Sequence, residues 1–136
     1  MIRTLQFIPL FGVLLLIYWF CVKINFFPGH LNDVLFTLTL PSKSPWKPTW
    51  GDVLVLAGIV TLYIELFKST RTSEVTIFDH LLSTFVLIGY LVGWLIYPWG
   101  GNSVFLILAA MSFLDVIAGF TITISAARRD LSLGGK

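Results

Sequence analysis

Asp115 is the residue whose chemistry most needs an explanation. It lies eleven residues after Val104 and twelve before Ala127, inside an otherwise apolar run. An aspartate at the centre of a membrane helix costs about 2.5–3.5 kcal/mol on insertion scales, so something must offset it. Ser112, Ala118 and Gly119 stand three or four residues away, on the same helical face. Small residues permit close helix packing, so this face is expected to meet protein rather than lipid. Tyr18, Thr61 and Thr84 are expected within a turn or two of the same depth. Three readings of Asp115 stay open. It donates, as a neutral acid, to one of those hydroxyls; it pairs with a group on another protein; or it is a proton or cation site in a pathway.

A second cluster is expected near one end of the helices. Glu65, Asp79 and His80 fall at similar depth. Gly58, Thr61 and Glu65 share one helical face, and His80, Thr84 and Leu87 share another. If these faces meet, Glu65 can hold His80 as imidazolium. The alternatives are an ion-pair network with Lys68 and Arg71, or a relay from His80 toward Asp115. That relay would cross ~11 Å, two helical turns, with Thr84, Ser83 and Thr61 as intermediates.

Other chemistry is thinly supplied. His30 and Asp33, three apart, are two donors where a metal site needs more. The sequence holds no HExxH, no P-loop and no Ser-His-Asp set at one depth. His30 and His80 are expected on opposite sides, so they cannot share a haem. The expectation is therefore no enzyme, no cofactor and no metal. Cys21 is the single cysteine and forms no intramolecular disulfide.

The elements that position these residues follow from composition. The 136 residues are 57% hydrophobic and 12% charged, with a mean hydropathy of +0.90. Soluble domains carry about 25% charged residues. Half that supply cannot cover a globule in water, so lipid is the expected solvent. A net charge of +2 gives no argument for nucleic acid. A spanning helix needs about 20 mostly apolar residues. Four candidates emerge, at about residues 5–24, 51–68, 75–97 and 103–127, with an outer loop at 25–50 and a tail at 128–136. Pro9 is expected to be tolerated near the start of the first. Tyr18-Trp19-Phe20 at its far end is too bulky for a signal-peptidase site, so this helix is read as uncleaved.

Four spans put both termini on one side. That side carries Arg3, Lys68, Arg71, Arg128, Arg129 and Lys136, against Lys23, Lys43 and Lys47 on the other. The excess assigns the first side to the cytoplasm. All five tryptophans (Trp19, Trp46, Trp50, Trp94 and Trp99) fall toward the opposite boundary. Thr49-Trp50-Gly51-Asp52 reads as a capping box for the second helix. Ser73-Glu74 reads as a cap for the third, and Asn102 or Ser103 for the fourth. Gly89-xxx-Gly93 fits close helix contact, inside one subunit or between two.

In the outer loop, residues 34–40 alternate with a period of two and Pro41–Pro45 reads as a turn. Trp46–Trp50 is a possible return strand. A short β-hairpin over the helix ends is expected, either as a cap on the bundle or as a docking surface. The fold class is thus an all-α membrane protein, a four-transmembrane-helix bundle with a short β-hairpin between helices 1 and 2.

Several strings occur together: Thr39-Leu40-Pro41-Ser42, Thr49-Trp50-Gly51-Asp52, Asp79-His80-Leu81-Leu82-Ser83-Thr84, Asp115-Val116-Ile117-Ala118-Gly119-Phe120 and Ala126-Ala127-Arg128-Arg129-Asp130. From Leu31 onward the chain resembles a group of small, uncharacterised four-helix inner-membrane proteins of proteobacteria. The resemblance implies a bacterial inner-membrane setting and carries no activity. The leading expectation is a non-enzymatic accessory or assembly subunit of a larger membrane complex, with lipid and other membrane subunits, or a second copy, as partners. The alternative is a homo-oligomeric proton or cation conductor that uses Asp115.

Overall fold

Helix-forming runs set the architecture, and prolines and caps set their ends. The computed structural model describes residues 6–70 and 74–134. It is mostly helical, with α1 at Leu10–Lys23, α2 at Trp50–Ser69, α3 at Glu74–Ile96 and α4 at Ser103–Gly134. Two short strands, β1 at Leu38–Thr39 and β2 at Pro45–Trp46, lie between α1 and α2. A 3-10 turn at Pro98–Gly100 joins α3 to α4. Three helices, α2 to α4, are long and apolar enough to cross a membrane.

Helix α1 departs from expectation. It starts after Pro9, which holds an extended conformation (φ −72°, ψ 114°) just outside the helix. A proline five residues into a helix from Leu5 would lack its N–H and clash with an earlier carbonyl. The helix therefore restarts instead of running through. Its 14 residues rise only ~21 Å, short of the ~30 Å hydrocarbon thickness.

Helix α4 also departs. Arg128-Arg129-Asp130 does not end it, and it runs on to Gly134, through most of the expected tail. Arginine is a good helix former, and charge alone does not break the hydrogen-bond ladder. Helix α2 begins as expected. Thr49 Oγ1 accepts the Asp52 N–H at 3.3 Å, and Asp52 returns an acceptor to the Thr49 N–H at 2.9 Å. Asn102 supplies the start of α4, its Oδ1 accepting the Phe105 N–H at 2.8 Å. The expected cap at Ser73 lies outside the described residues.

The hairpin is antiparallel, with Leu38 opposite Trp46 and Thr39 opposite Pro45. It is shorter than the period-two run, because Pro45 and Pro48 remove ladder donors. Pairing resumes at an isolated bridge between Val34 and Thr49. The loop is tied to α2 where the Gly51 N–H donates to the Leu31 carbonyl at 2.9 Å.

Helix α4 packs against α2 and α3, and α1 packs against the same two helices. The core between them is aromatic at the hairpin end: Tyr18, Phe27, Tyr90 and Phe105 are buried. Tyr18 lies 5.0 Å from Phe105, ring centre to ring centre, and Tyr90 5.3 Å from the same ring.

Glycines fix the helix registers. A Cβ at Gly51 would meet Val104, one at Gly58 would meet Met111, and one at Gly119 would approach Ser69. Numbers on α2 and α4 rise together, so the two helices are parallel. On α3 the order reverses: Gly93 lies against Phe105 and His80 against Gly119. Helix α3 is antiparallel to α4.

Candidate functional site

Those registers gather the polar residues at the end of the bundle away from the hairpin. Glu65 on α2, Ser83 on α3 and Asp115 on α4 fall at one level. Asp79 and Lys68 lie about one turn farther from the hairpin. Glu65, Asp79, Ser83, Ser112 and Asp115 are all buried, none more than 3% exposed. The two clusters expected from sequence therefore lie about one helical turn apart, and the expected ~11 Å gap is roughly halved. Asp115 was placed by counting from the ends of an apolar run. The helix register instead sets it closer to the Glu65 end than to the hairpin.

Lys68 is the hub. Its ammonium donates to Glu65 Oε1 at 3.0 Å, to Asp79 Oδ1 at 3.4 Å and to the Ile8 carbonyl at 2.9 Å. Glu65 Oε1 also accepts the Leu10 backbone N–H at 2.9 Å. Pro9 explains both backbone contacts. By interrupting the helix it frees a carbonyl before it and an amide after it. The Glu65 carboxylate covers the amide, at the positive end of the α1 dipole. The ammonium covers the carbonyl. The signal was present in the sequence as Pro9, but its partner on α2 was not. Ser69 completes this corner, its hydroxyl donating to the Glu65 carbonyl at 3.0 Å.

His80 is held elsewhere. Its Nε2 lies 2.9 Å from Thr123 Oγ1, its ring is 5.3 Å from that of Phe120, and Gly119 packs against its edge. Glu65 thus pairs with Lys68, as in the ion-pair network among the expected readings, and not with His80. Helix α2 presents Glu65 toward α1, while α3 presents His80 toward α4. Arg71, expected in the same network, lies outside the described residues.

The hydroxyls proposed as Asp115 partners go other ways. Thr84 donates to the His80 carbonyl at 2.9 Å, one turn back on its own helix. Thr61 is half-buried on α2. Tyr18 belongs to the opposite end: its hydroxyl donates to the Trp99 carbonyl at 2.6 Å and accepts from Asn102 Nδ2 at 2.9 Å. Two hydroxyls near Asp115, Ser83 at its level and Ser112 about one turn away, are buried with no hydrogen-bond partner among the described residues. The Asp115 carboxyl is within electrostatic range of Glu65, Asp79 and Lys68.

The helix-contact residues are used inside the chain. Gly93 receives Phe105, Gly89 faces Leu15 of α1, and Gly119 receives His80. Ala118, next to Gly119, is half-buried. Apolar grooves flank α1 on both sides. One, of about 440 Å³, is lined by residues including Pro9, Gly12, Leu82 and Phe85; the other, of about 490 Å³, by residues including Ile17, Cys21, Trp50 and Val53. Neither is lined by Asp79, His80 or Asp115. His30 Nδ1 lies 2.6 Å from Asp33 Oδ2 on the exposed loop. Among the described residues, no three His, Cys, Asp or Glu side chains gather as metal ligands.

Comparison with protein-family models, curated proteins and solved structures gave no match.

Proposed function

We propose that this chain is a non-enzymatic, integral protein of the bacterial inner membrane that serves as an accessory or assembly subunit of a larger complex. The membrane setting is supported by the helix surfaces. Leu16, Tyr63, Phe85 and Leu95 are among many large apolar side chains exposed on them. A soluble monomer rarely carries so continuous an apolar surface. Helix α1 is short, but its ends are tied to both ends of the bundle, through Leu10 to Glu65 and through Tyr18 to Trp99. With α1 counted as a fourth crossing, both termini lie on the Lys68 and Arg128 side, the cytoplasm by the excess of basic residues. The resemblance to small proteobacterial inner-membrane proteins agrees with this setting.

The observation that carries the subunit reading is the hairpin. Phe36 and Trp46 are 52% and 43% exposed, and Val34, Leu38 and Leu40 are exposed beside them. These residues lie in the loop between α1 and α2, outside the helices. An apolar patch there suits a partner protein's surface. Gentle extraction from native membranes tests this. A reproducible partner, lost on Phe36→Ser plus Trp46→Ser, is the expected result. A chain that migrates alone in every mild detergent overturns it.

A second reading is favoured by the common level of Glu65, Ser83 and Asp115. It is a homo-oligomeric proton or cation conductor. Flux into liposomes that is equal for the native chain and Asp115→Asn, or absent in both, removes it.

A further inference from the structure

We infer that Glu65, Ser83 and Asp115 form a proton-binding site in which Asp115 carries the exchangeable proton. The inference rests on the membrane reading, and it names the ligand that the conductor reading leaves open.

Charge balance is the first support. Among the described residues, the buried compartment holds three carboxyls, on Glu65, Asp79 and Asp115, and one ammonium, on Lys68. Uncompensated charge in such a place is costly, so the excess acid is neutralised by binding a proton or a cation. His80 also faces this compartment from α3, and it is committed to Thr123.

Geometry says which acid it is. Glu65 already has two donors in contact, the Lys68 ammonium at 3.0 Å and the Leu10 N–H at 2.9 Å. Asp79 has the same ammonium at 3.4 Å. Among the described residues Asp115 has no cation in contact. Its level on α3 is occupied by the Ser83 hydroxyl, 3% exposed and without a hydrogen-bond partner among the described residues. Ser112, one turn away on the same face of α4, is in the same condition. These hydroxyls can accept from a protonated carboxyl or donate to an ionised one, as an exchange site requires.

A metal ion is the weaker candidate, since the three carboxyls do not converge as ligands. A proton needs no such convergence. It needs one neutral carboxyl, a hydroxyl that serves in either state, and a fixed charge nearby to set the balance. Lys68 supplies that charge. It is 13% exposed, where Asp79 is 3%.

The test uses dicyclohexylcarbodiimide, an apolar reagent that adds to protonated carboxyls and rearranges to a stable N-acylurea. Purified full-length protein in phosphatidylcholine vesicles is treated at neutral pH, and the adducts are mapped by mass spectrometry. Labelling of Asp115 at least about tenfold above that of exposed Asp33 and Asp52 is expected, since ordinary aspartates are almost wholly ionised there. Labelling of Asp115 no higher than those controls overturns the inference, as does adduct confined to Glu65 or Asp79. Ser83→Ala is expected to change the extent of Asp115 labelling at least about threefold, and Lys68→Met to extend labelling to Glu65. If either variant does not fold, the wild-type map decides alone. Binding and conduction separate cleanly: labelled Asp115 without liposome flux keeps the site and removes the conductor.

Discussion

The Leu10 backbone N–H donates to the Glu65 carboxylate at 2.9 Å, across 55 residues of sequence. With the Lys68 contact to the Ile8 carbonyl, it fastens both sides of the Pro9 break to α2. A helix restart inside a bundle would otherwise bury unpaired backbone groups, each at the cost of a lost hydrogen bond.

This arrangement predicts an order of losses. Glu65→Gln keeps an oxygen acceptor for Leu10 and leaves Lys68 paired with Asp79. It is expected to cost about 1–3 kcal/mol. Lys68→Met leaves Glu65, Asp79 and Asp115 together without their cation, and is expected to cost about 3–5 kcal/mol. Unfolding titrations in mixed detergent measure both. Equal losses, or a greater loss for Glu65→Gln, would show that Lys68 is not the hub.

What the sequence disclosed depended on range. The Thr49–Asp52 capping box, the stop at Pro98 and the Asn102 cap are local, and their residues are adjacent enough to be read directly. On α3 the face expected from His80, Thr84 and Leu87 is offset by about one residue, since the buried stripe runs through Asp79, Ser83, Leu87 and Tyr90 with His80 beside it. Which faces meet was not readable. Glu65 and His80 lie at similar depth, yet one turns to Lys68 and α1 and the other to Thr123. Depth from chain counting also misplaced Tyr18 relative to Asp115, because Tyr18 meets Trp99 and Asn102 at the hairpin end while Asp115 lies toward the Glu65 end of α4. The unsatisfied backbone around Pro9 was predictable in kind, but its partner came only from the tertiary packing.

Asn102 joins two jobs that are expected to be energetically coupled. Its Oδ1 caps α4 at Phe105, and its Nδ2 donates to the Tyr18 hydroxyl. Asn102→Ala is expected to cost about 1 kcal/mol through the cap, with more from the Tyr18 hydroxyl. Tyr18→Phe should cost about 1 kcal/mol. The double variant should fall short of the sum by at least about 0.5 kcal/mol. Strict additivity would mean that the 2.9 Å contact contributes nothing.

Two helical glycines are expected to respond oppositely to alanine. Helix propensity favours alanine by about 1 kcal/mol at either position. At Gly119 the new Cβ would sit 2.6 Å from His80 Cε1 and 2.8 Å from Nδ1. That ring is held by Thr123 and faces Phe120, so it has little room to retreat. Overpacking costs about 1–3 kcal/mol, and Gly119→Ala is expected to destabilise on balance. At Gly89 the Cβ would meet only Leu15 Cδ2, at 3.2 Å, the far end of a flexible side chain. Gly89→Ala is expected to be neutral or stabilising by up to about 1 kcal/mol. Parallel thermal melts in one detergent decide between these outcomes. Stabilisation by Gly119→Ala would mean that α4 and α3 are not in the register described.

If the hairpin is the docking surface proposed above, its variants separate partner binding from folding. Phe36 and Trp46 pack edge to face, 5.8 Å between ring centres, and both remain exposed. Neither belongs to the buried cluster of Phe11, Tyr18, Phe105 and Leu108. Replacing both by serine is therefore expected to leave global unfolding within about 0.5 kcal/mol of the native chain, plus the loss of one aromatic pair, about 0.5–1.5 kcal/mol, confined to the hairpin. Tyr18→Ser, by contrast, opens the core and is expected to cost at least about 3 kcal/mol. Partner co-purification should respond more strongly to the hairpin variant than to any core variant that still folds. If the hairpin variant unfolds as readily as Tyr18→Ser, these aromatics hold the bundle together. The hairpin is then a cap, and the accessory-subunit reading loses its principal support.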